Sequence, residues 1–198
     1  MGDPARTAWS EQTGELRIRL ATPDDVSSVA ALISESVRGL SDPYYSARQI
    51  ESGLAYIFGP DTQLIRDGTY FVVESGDRIV GSGGWSRRRT LYGGDQSKSG
   101  EDPLLDPAKE PARIRAFFVH PRWARRGIGR RLLNACVEAA RAAGFRALEL
   151  VATLPGEPFY RAFGFEETAR YDIRLPDGEG LPVVHMQRSI GGPDELDV

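Results

Sequence analysis

The residues best suited to chemistry form a turn rich in glycine and arginine, between an apolar segment and a helical pattern. Gly127 and Gly129 flank Ile128 at the start of that helix. There the first backbone N–H groups have no intrahelical acceptor and lie at the positive end of the helix dipole. Such a helix start binds phosphate, and glycine lets an anion approach the backbone closely. Four arginines surround the turn: Arg125, Arg126, Arg130 and Arg131.

The same turn has a plainer interpretation, in which the arginines face solvent and the glycines only reverse the chain. The two commonest nucleotide motifs fit it poorly. A dinucleotide fingerprint needs a third glycine where Leu132 stands, and a P-loop needs Lys followed by Ser or Thr. A phosphate ligand at this turn would therefore belong to neither class.

Composition and the sparse metal-binding residues exclude several other functions. The 198 residues are 40% hydrophobic with a net charge of −3, which suits one compact domain and gives no electrostatic argument for nucleic acid. Cys136 is the only cysteine, and His120 and His185 are the only histidines, so we expect no disulfide and no metal. The polar start lacks the apolar core of a signal peptide, and no apolar run would span a bilayer. We expect a cytoplasmic protein that binds neither nucleic acid nor membrane.

Periodicity in the apolar residues places this turn inside an alternation of strands and helices. The helix that begins at Gly127 has one predicted strand before it and one after it. Elements of these lengths make a right-handed β-α-β unit in which the two strands are parallel. The polar stretch 92–111 has too few apolar residues to pack, so we expect an exposed loop. The predicted strands are 16–20, 70–73, 79–85, 114–119, 148–151, 166–175 and 182–188, and the predicted helices are 22–37, 45–58, 127–143 and 159–163.

The two ends of the chain differ from the part between them. Residues 1–14 predict a disordered lead-in, and residues 191–198 predict an acidic tail. No internal repeat or composition break divides the stretch between them. We therefore expect a single domain over residues 15–190.

Two motifs, in order along the chain, resemble those of the GNAT superfamily of N-acetyltransferases. The segment Ala124-Arg-Arg-Gly127-Ile-Gly129, after Val119-His-Pro121, is similar to that family's Gln/Arg-x-x-Gly-x-Gly/Ala signature. The departure is Ala124, where Gln or Arg is usual. The segment from Phe159 to Phe165 resembles the family's Phe-Tyr-x-x-x-Gly-Phe motif. The resemblance extends over about residues 16–188.

The resemblance implies a fold, a cosubstrate and a set of site residues. The fold is a mixed α/β architecture with a mostly antiparallel sheet of six or seven strands, helices on both faces and a β-α-β core that binds CoA. The cosubstrate is acetyl-CoA, and Tyr160 is the general acid that protonates the departing thiolate. The pantetheine arm would lie along one strand, and the pyrophosphate at the turn. The implied cosubstrate-binding residues are Phe117, Phe118, Val119, Arg125, Arg126, Gly127, Ile128, Gly129 and Arg130.

By the same resemblance, the reaction is transfer of acetyl to a primary amine of a small molecule or peptide, by direct attack in a ternary complex, in a monomer or homodimer. The sequence names no base, because the strand before Val119 offers Arg113 and Arg115 rather than a carboxylate; Glu149 and several other carboxylates remain open. The resemblance implies an acceptor site near residues 39–61, 85–92 and 176–181, but the acceptor itself is open too. Asp42, Tyr44, Tyr45 and Glu51 would suit a cationic amine, whereas Arg87, Arg88 and Arg89 would suit a carboxylate or phosphate.

Three other functions remain as alternatives. A non-catalytic acyl-CoA-binding sensor of the same fold is favoured weakly by the missing base and disfavoured by Tyr160. A nucleotide-binding enzyme is disfavoured by the missing motif residues. A regulatory nucleic-acid-binding protein is disfavoured by the acidic composition.

Overall fold

One seven-stranded sheet runs through the protein. The structure is a computed structural model and describes residues 15–191. Its strands lie in the order β1-β2-β3-β4-β5-β7-β6, and only β4 and β5 are parallel neighbours. The strands are β1 (Leu16–Leu20), β2 (Tyr70–Ser75), β3 (Arg78–Ser86), β4 (Ala112–Val119), β5 (Ala147–Thr153), β6 (Glu166–Arg174) and β7 (Gly180–Ser189).

Helices cover both faces of this sheet, because its central strands alternate apolar residues toward both sides. On one face α1 and α2 pack with Val72, Leu181 and Val183. On the other face α4 packs with Val73, Leu148 and Met186. The helices are α1 (Val26–Leu40), α2 (Ala47–Tyr56), α3 (Thr62–Arg66), α4 (Ile128–Ala142) and α5 (Glu157–Ala162). The mixed, mostly antiparallel fold expected from the sequence is confirmed.

A bulge in the middle of the sheet bends β4 away from β5. The register between β3 and β4 shifts between Ser82 and Gly84, and Ala116 adopts a positive φ of 54°. The Tyr70 hydroxyl stabilises this conformation by donating to the Ala116 carbonyl at 3.1 Å. Within the described chain, β4 pairs with β5 only at Ala112 and Arg113. The second half of β4 therefore leaves one backbone edge open.

The structure corrects two expectations about local structure. The sequence predicted no helix at Thr62–Arg66, yet α3 forms there because the Asp61 carboxylate caps it by accepting from Leu64 N–H at 3.3 Å. The stretch 92–111 is not merely an exposed loop. Leu105 is buried against Trp85 in the main core, and Arg88 forms an isolated β-bridge with Leu104.

The expected disordered segment 1–14 and, apart from Gly191, the acidic tail 191–198 lie outside the described residues. Among residues 15–191, no helix combines the length and the apolar character needed to cross a bilayer.

Candidate active site

A single cleft crosses the sheet where β4 and β5 separate. Its volume is about 760 Å³. One end, called here the α4 end, is lined by Arg125, Gly127, Gly129 and Arg130. The other, called the loop end, is lined by Tyr44, Phe58, Leu91, Tyr92, Ile173 and Leu181. The open half of β4 and the side chain of Tyr160 lie between the two ends, so one molecule could reach from one to the other.

The α4 end is a concave backbone surface suited to an anion. Gly127 caps α4 in the left-handed conformation with a φ of 79°, and Arg125 also has a positive φ, of 65°. The N–H groups of Ile128, Gly129 and Arg130 lie in the first helical turn, where no intrahelical acceptor exists. A Cβ on Gly129 would lie 3.1 Å from the Phe159 ring. Glycine therefore keeps this helix start close to α5 and open to a ligand.

Five of the six predicted residues at this turn and helix start meet at the α4 end, but Arg126 does not. The side chain of Arg126 lies over the Trp123 ring, 4.8 Å from its centroid, and does not line the cleft. Arg130 lines the cleft and lies 5.7 Å from the Phe163 ring centroid. Arg125, Gly127, Ile128 and Gly129 are the other lining residues of the predicted set.

The open half of β4 contributes the residues predicted to contact the pantetheine arm. Phe117, Phe118 and Val119 all line the cleft. The N–H of Val119 donates to the Ser36 hydroxyl on α1 at 3.2 Å. Ser36 also lines the cleft. This backbone edge is thus directed into the cleft and held by a side chain that a ligand carbonyl could replace.

Tyr160 lies on α5 at the middle of the cleft, inside an aromatic cluster. Its ring centroid is 5.1 Å from that of Phe159, 5.6 Å from that of Phe165 and 6.2 Å from that of Phe117. Burial raises the pKa of the phenol, and the neighbouring Cys136 adds to the shift. Within residues 15–191 no protein group hydrogen-bonds the Tyr160 hydroxyl. The phenol therefore keeps its proton and is free to donate it to a ligand.

The loop end has apolar walls held in place by hydrogen bonds. Tyr45 OH donates to the Pro182 carbonyl at 2.6 Å and accepts from Leu154 N–H at 2.9 Å. Gln49 Nε2 donates to the Gly180 carbonyl at 2.7 Å. These contacts fix α2 and its preceding loop against β7 and the end of β5. The wall that carries Tyr44 is therefore preformed.

A buried arginine holds the opposite wall. Arg115 on β4 is 4% exposed and donates to the Thr90 and Gly93 carbonyls, which flank Leu91 and Tyr92. Its Nη2 lies 2.9 Å from Oδ2 of Asp61, which also pairs with Lys98. Burial lowers the pKa of Arg115, and Asp61 opposes that shift. Arg115 thus uses its charge and its donors to bind protein groups.

Most residues considered for the acceptor or the base lie elsewhere. Tyr45 is buried with both hydrogen bonds made, and burial raises its pKa to about 12. Glu51 pairs with Arg38 on the surface, and Arg88 pairs with Asp67. Glu149 contacts Arg113 and His185 at the start of β5 and does not line the cleft. Of the acceptor residues named from the sequence, Tyr44 alone lines the cleft.

Sequence reasoning missed several residues of the cleft wall. Arg115 could have been suspected, because a charged residue in an otherwise apolar buried strand must find a partner. Ser36 carries a similar signal, since it falls on the apolar face of α1 beside Val37. Phe58, Leu91 and Tyr92 lie within the segments 39–61 and 85–92 that the family resemblance implied for the acceptor site, but their residue types alone single out none of them.

Comparison with known proteins gives one family and one fold. A model of the acetyltransferase (GNAT) family matches residues 34–165. A search of curated proteins found no significant sequence match.

Three of the similar solved structures illustrate the fold. One is the GCN5-related N-acetyltransferase from Rhodopseudomonas palustris, with a TM-score of 0.61, 22% identity, and coverage of 89% of this chain and 96% of that one. Another is the paiA N-acetyltransferase from Thermoplasma acidophilum in complex with coenzyme A. Its TM-score is 0.59 and its identity 13%, and the match covers 88% of this chain and 99% of that one. The third is yncA from Salmonella typhimurium with its cofactor acetyl-CoA. Its TM-score is 0.57 and its identity 18%, and the match covers 92% of this chain and 96% of that one. At these identities the likeness concerns the fold.

Proposed function

Because the chain belongs to the acetyltransferase (GNAT) family, we propose that it is an N-acetyltransferase that moves the acetyl group of acetyl-CoA to a primary amine. One observation carries the proposal. A single cleft joins a helix start with unpaired N–H groups, an open strand edge and a protonated tyrosine to a preformed apolar end. Two of the similar folds, paiA and yncA, hold coenzyme A and acetyl-CoA respectively, which supports the same ligand here.

The residues of the cleft fit acetyl-CoA. The backbone N–H groups of the α4 turn would hold its pyrophosphate, with Arg125 and Arg130 beside them. The open edge of β4 from Phe117 to Val119 would hydrogen-bond the pantetheine amides as an added strand would. Bound acetyl-CoA supplies the acetyl group and a thiol leaving group.

Tyr160 supplies the proton that the leaving group needs. The acceptor nitrogen forms a bond to the acetyl carbon, the carbon–sulfur bond breaks, and the sulfur takes a proton as the nitrogen loses one. A phenol whose pKa is raised by burial remains protonated at neutral pH and can donate to sulfur. We place Tyr160 in this role because it lines the cleft beside Phe117 of the open strand, with 6.2 Å between the two ring centroids.

The described cleft contains no side chain suited to act as a general base. None of its lining residues, which lie between Ser36 and Val183, is Asp, Glu or His. The acceptor must therefore arrive as the neutral amine or lose its proton to water in the cleft. This feature also favours the alternative function, a non-catalytic domain that binds acyl-CoA.

The first experiment is calorimetric titration of acetyl-CoA, NAD and ATP into wild-type protein and Gly129→Glu. The new carboxylate would lie at the helix start where the phosphates bind. Of the three ligands, we expect wild type to bind only acetyl-CoA. We expect the variant to bind acetyl-CoA more weakly by on the order of 100-fold. Ala142→Glu is the matched control, because it adds the same charge at the exposed far end of α4.

The outcomes separate the two candidate functions. Binding of acetyl-CoA with release of free thiol in the presence of amines supports the transferase. Binding without thiol release from any amine supports the acyl-CoA-binding domain. Failure of a folded wild-type protein to bind acetyl-CoA would contradict both.

A further inference from the structure

The loop end of the cleft has a composition that selects among amines. This inference rests on the proposed function, since it concerns the acceptor of that reaction. We propose that the acceptor is a small aromatic monoamine, with one primary amine on an aromatic body and no second charged group.

The loop end offers no charged side chain to an acceptor. Arg125, Arg130 and Arg115 are the only charged residues among those lining the described cleft, and the first two lie at the α4 end. Arg115 is already committed to Asp61 and to the carbonyls of Thr90 and Gly93. A second ammonium or a carboxylate on the acceptor would thus lose water without gaining an ionic partner, which is unfavourable.

The walls of the loop end are apolar and aromatic. Phe58 packs edge-to-face on Phe118, with ring centroids 6.3 Å apart. Leu91, Ile173, Leu181 and Val183 complete the surface. Backbone hydrogen bonds join the segment after α2 to the loop between β3 and β4. In one of them, Gly94 N–H donates to the Ile57 carbonyl at 2.8 Å. An apolar body of fixed shape is therefore the complementary ligand.

Three exposed tyrosines lie at the loop end or on the strand beside it. Tyr44 is 48% exposed, and Tyr92 and Tyr171 are each 37% exposed. Tyr44 and Tyr92 line the cleft. Tyr171 pairs with Val183 across β6 and β7, so its side chain lies on the same face of the sheet as that lining residue. Exposed rings grouped around a pocket gain most from an aromatic ligand that covers them.

The test compares amines that differ by one group. With acetyl-CoA and a thiol-release readout, 2-phenylethylamine is compared with phenylalanine, which adds a carboxylate, and hexylamine with 1,6-diaminohexane, which adds an ammonium. We expect each added charge to lower kcat/KM by about 10-fold or more, and 2-phenylethylamine to be the best of the four. A charged member that equals or exceeds its partner would overturn the proposal.

Two variants test whether Tyr92 contributes to binding of the acceptor. Tyr92→Ala should lower kcat/KM for 2-phenylethylamine by about 10-fold and leave the Kd of acetyl-CoA unchanged. Leu104→Ala is the matched control, because Leu104 is an exposed apolar residue of the same loop that does not line the cleft. Equal losses of kcat/KM in the two variants would show that Tyr92 does not bind the acceptor.

Binding measurements separate this proposal from the proposed function. The four amines are titrated calorimetrically into protein saturated with coenzyme A, where no transfer can occur. If 2-phenylethylamine binds most tightly but is never acetylated, the loop end is a binding site for an aromatic monoamine and the transferase function fails. If all four neither bind nor react, while acetyl-CoA binds, the acceptor assignment is wrong.

Discussion

Tyr160 combines two properties that rarely coincide in a buried tyrosine. It packs against three aromatic rings, yet its hydroxyl hydrogen-bonds no group of the described chain. The oxygen is not one of the fully buried unpaired polar atoms of the described chain, so it opens into the cleft, where water or a ligand can accept its proton. The leaving sulfur of the proposed reaction is one such proton acceptor.

Tyr160→Phe should reduce kcat by about 100-fold or more, because the ring and its packing remain while the proton donor is lost. The Kd of acetyl-CoA should change little. Steady-state thiol release and calorimetric titration measure the two effects.

Tyr56→Phe is the control for that substitution, since Tyr56 lies on α2 and does not line the cleft. A Tyr160→Phe enzyme with wild-type kcat would remove the phenol from the mechanism. Water would then be the proton source.

The pH dependence should report the acceptor rather than the protein. With no carboxylate or histidine lining the described cleft, the neutral fraction of an amine of pKa about 10.4 limits the rate. Burial raises the pKa of Tyr160, so its proton is retained to higher pH than in a free phenol and the acid form persists as the amine deprotonates. We expect log kcat/KM to rise with a slope of about 1 between pH 6.5 and 9.5.

A plateau near pH 7 to 8 would reveal a protein group acting as general base. Acceptors with different amine pKa values provide the control, because in a base-free cleft the profile should shift with the acceptor. Circular dichroism across the range checks that the fold is unchanged.

At the scale of elements, the loop end of the cleft depends on one charged residue of β4. Arg115 joins the loop between β3 and β4 to the segment that caps α3, through the Thr90 and Gly93 carbonyls and Asp61. A fully buried carboxylate is stable there because two cations surround it. The loop that carries Tyr92 is thus positioned by a polar cluster beneath an apolar surface.

Arg115→Met should lower the free energy of unfolding by about 3 kcal/mol, because Asp61 loses its better-buried partner. It should also raise KM for the amine, since the Thr90 and Gly93 carbonyls lose their donor, while the Kd of acetyl-CoA stays the same. Urea unfolding and steady-state kinetics measure these effects.

The double variant Asp61→Asn with Arg115→Met is the control for charge. It should recover part of the lost stability, because the buried carboxylate is gone, without restoring KM. Equal stability of the single variant and wild type would show that the cluster contributes little to folding.

At the scale of the molecule, the cleft lies between two cores packed on opposite faces of the sheet. Leu154 packs against both cores. The strand separation that opens the cleft also leaves the β4–β5 interface with only two paired positions. A ligand in the cleft would therefore join the two halves of the sheet and stabilise the whole fold.

Acetyl-CoA at 100 times its Kd should raise the free energy of unfolding by about 2.7 kcal/mol, and hence Tm by about 5–11 °C. Thermal unfolding followed by circular dichroism, with and without ligand, measures the shift. Gly129→Glu at the same ligand concentration should show almost none. A shift as large in that variant would place the ligand elsewhere.

The sequence by itself determined the order of most elements and the identity of the family. Alternating and helical periodicities depend on local chemistry, so the strands and the helix after Gly127 were predicted within a few residues. The Gly127–Gly129 turn and the segment from Phe159 to Phe165 are local motifs, and both line the cleft found in the structure. The roles given to their residues remain predictions.

Only the tertiary structure decided how the cleft is built. The backbone at the Ala116 bulge is bonded by Tyr70, which is distant in sequence, and β4 separates from β5 beyond Arg113. The same holds for Arg115, whose partners lie 22 to 54 positions away along the chain. Residues that share a surface without sharing a periodicity leave no mark in a single sequence. The proposed anion site was therefore readable from residue types, whereas the uncharged, aromatic character of the loop end was not.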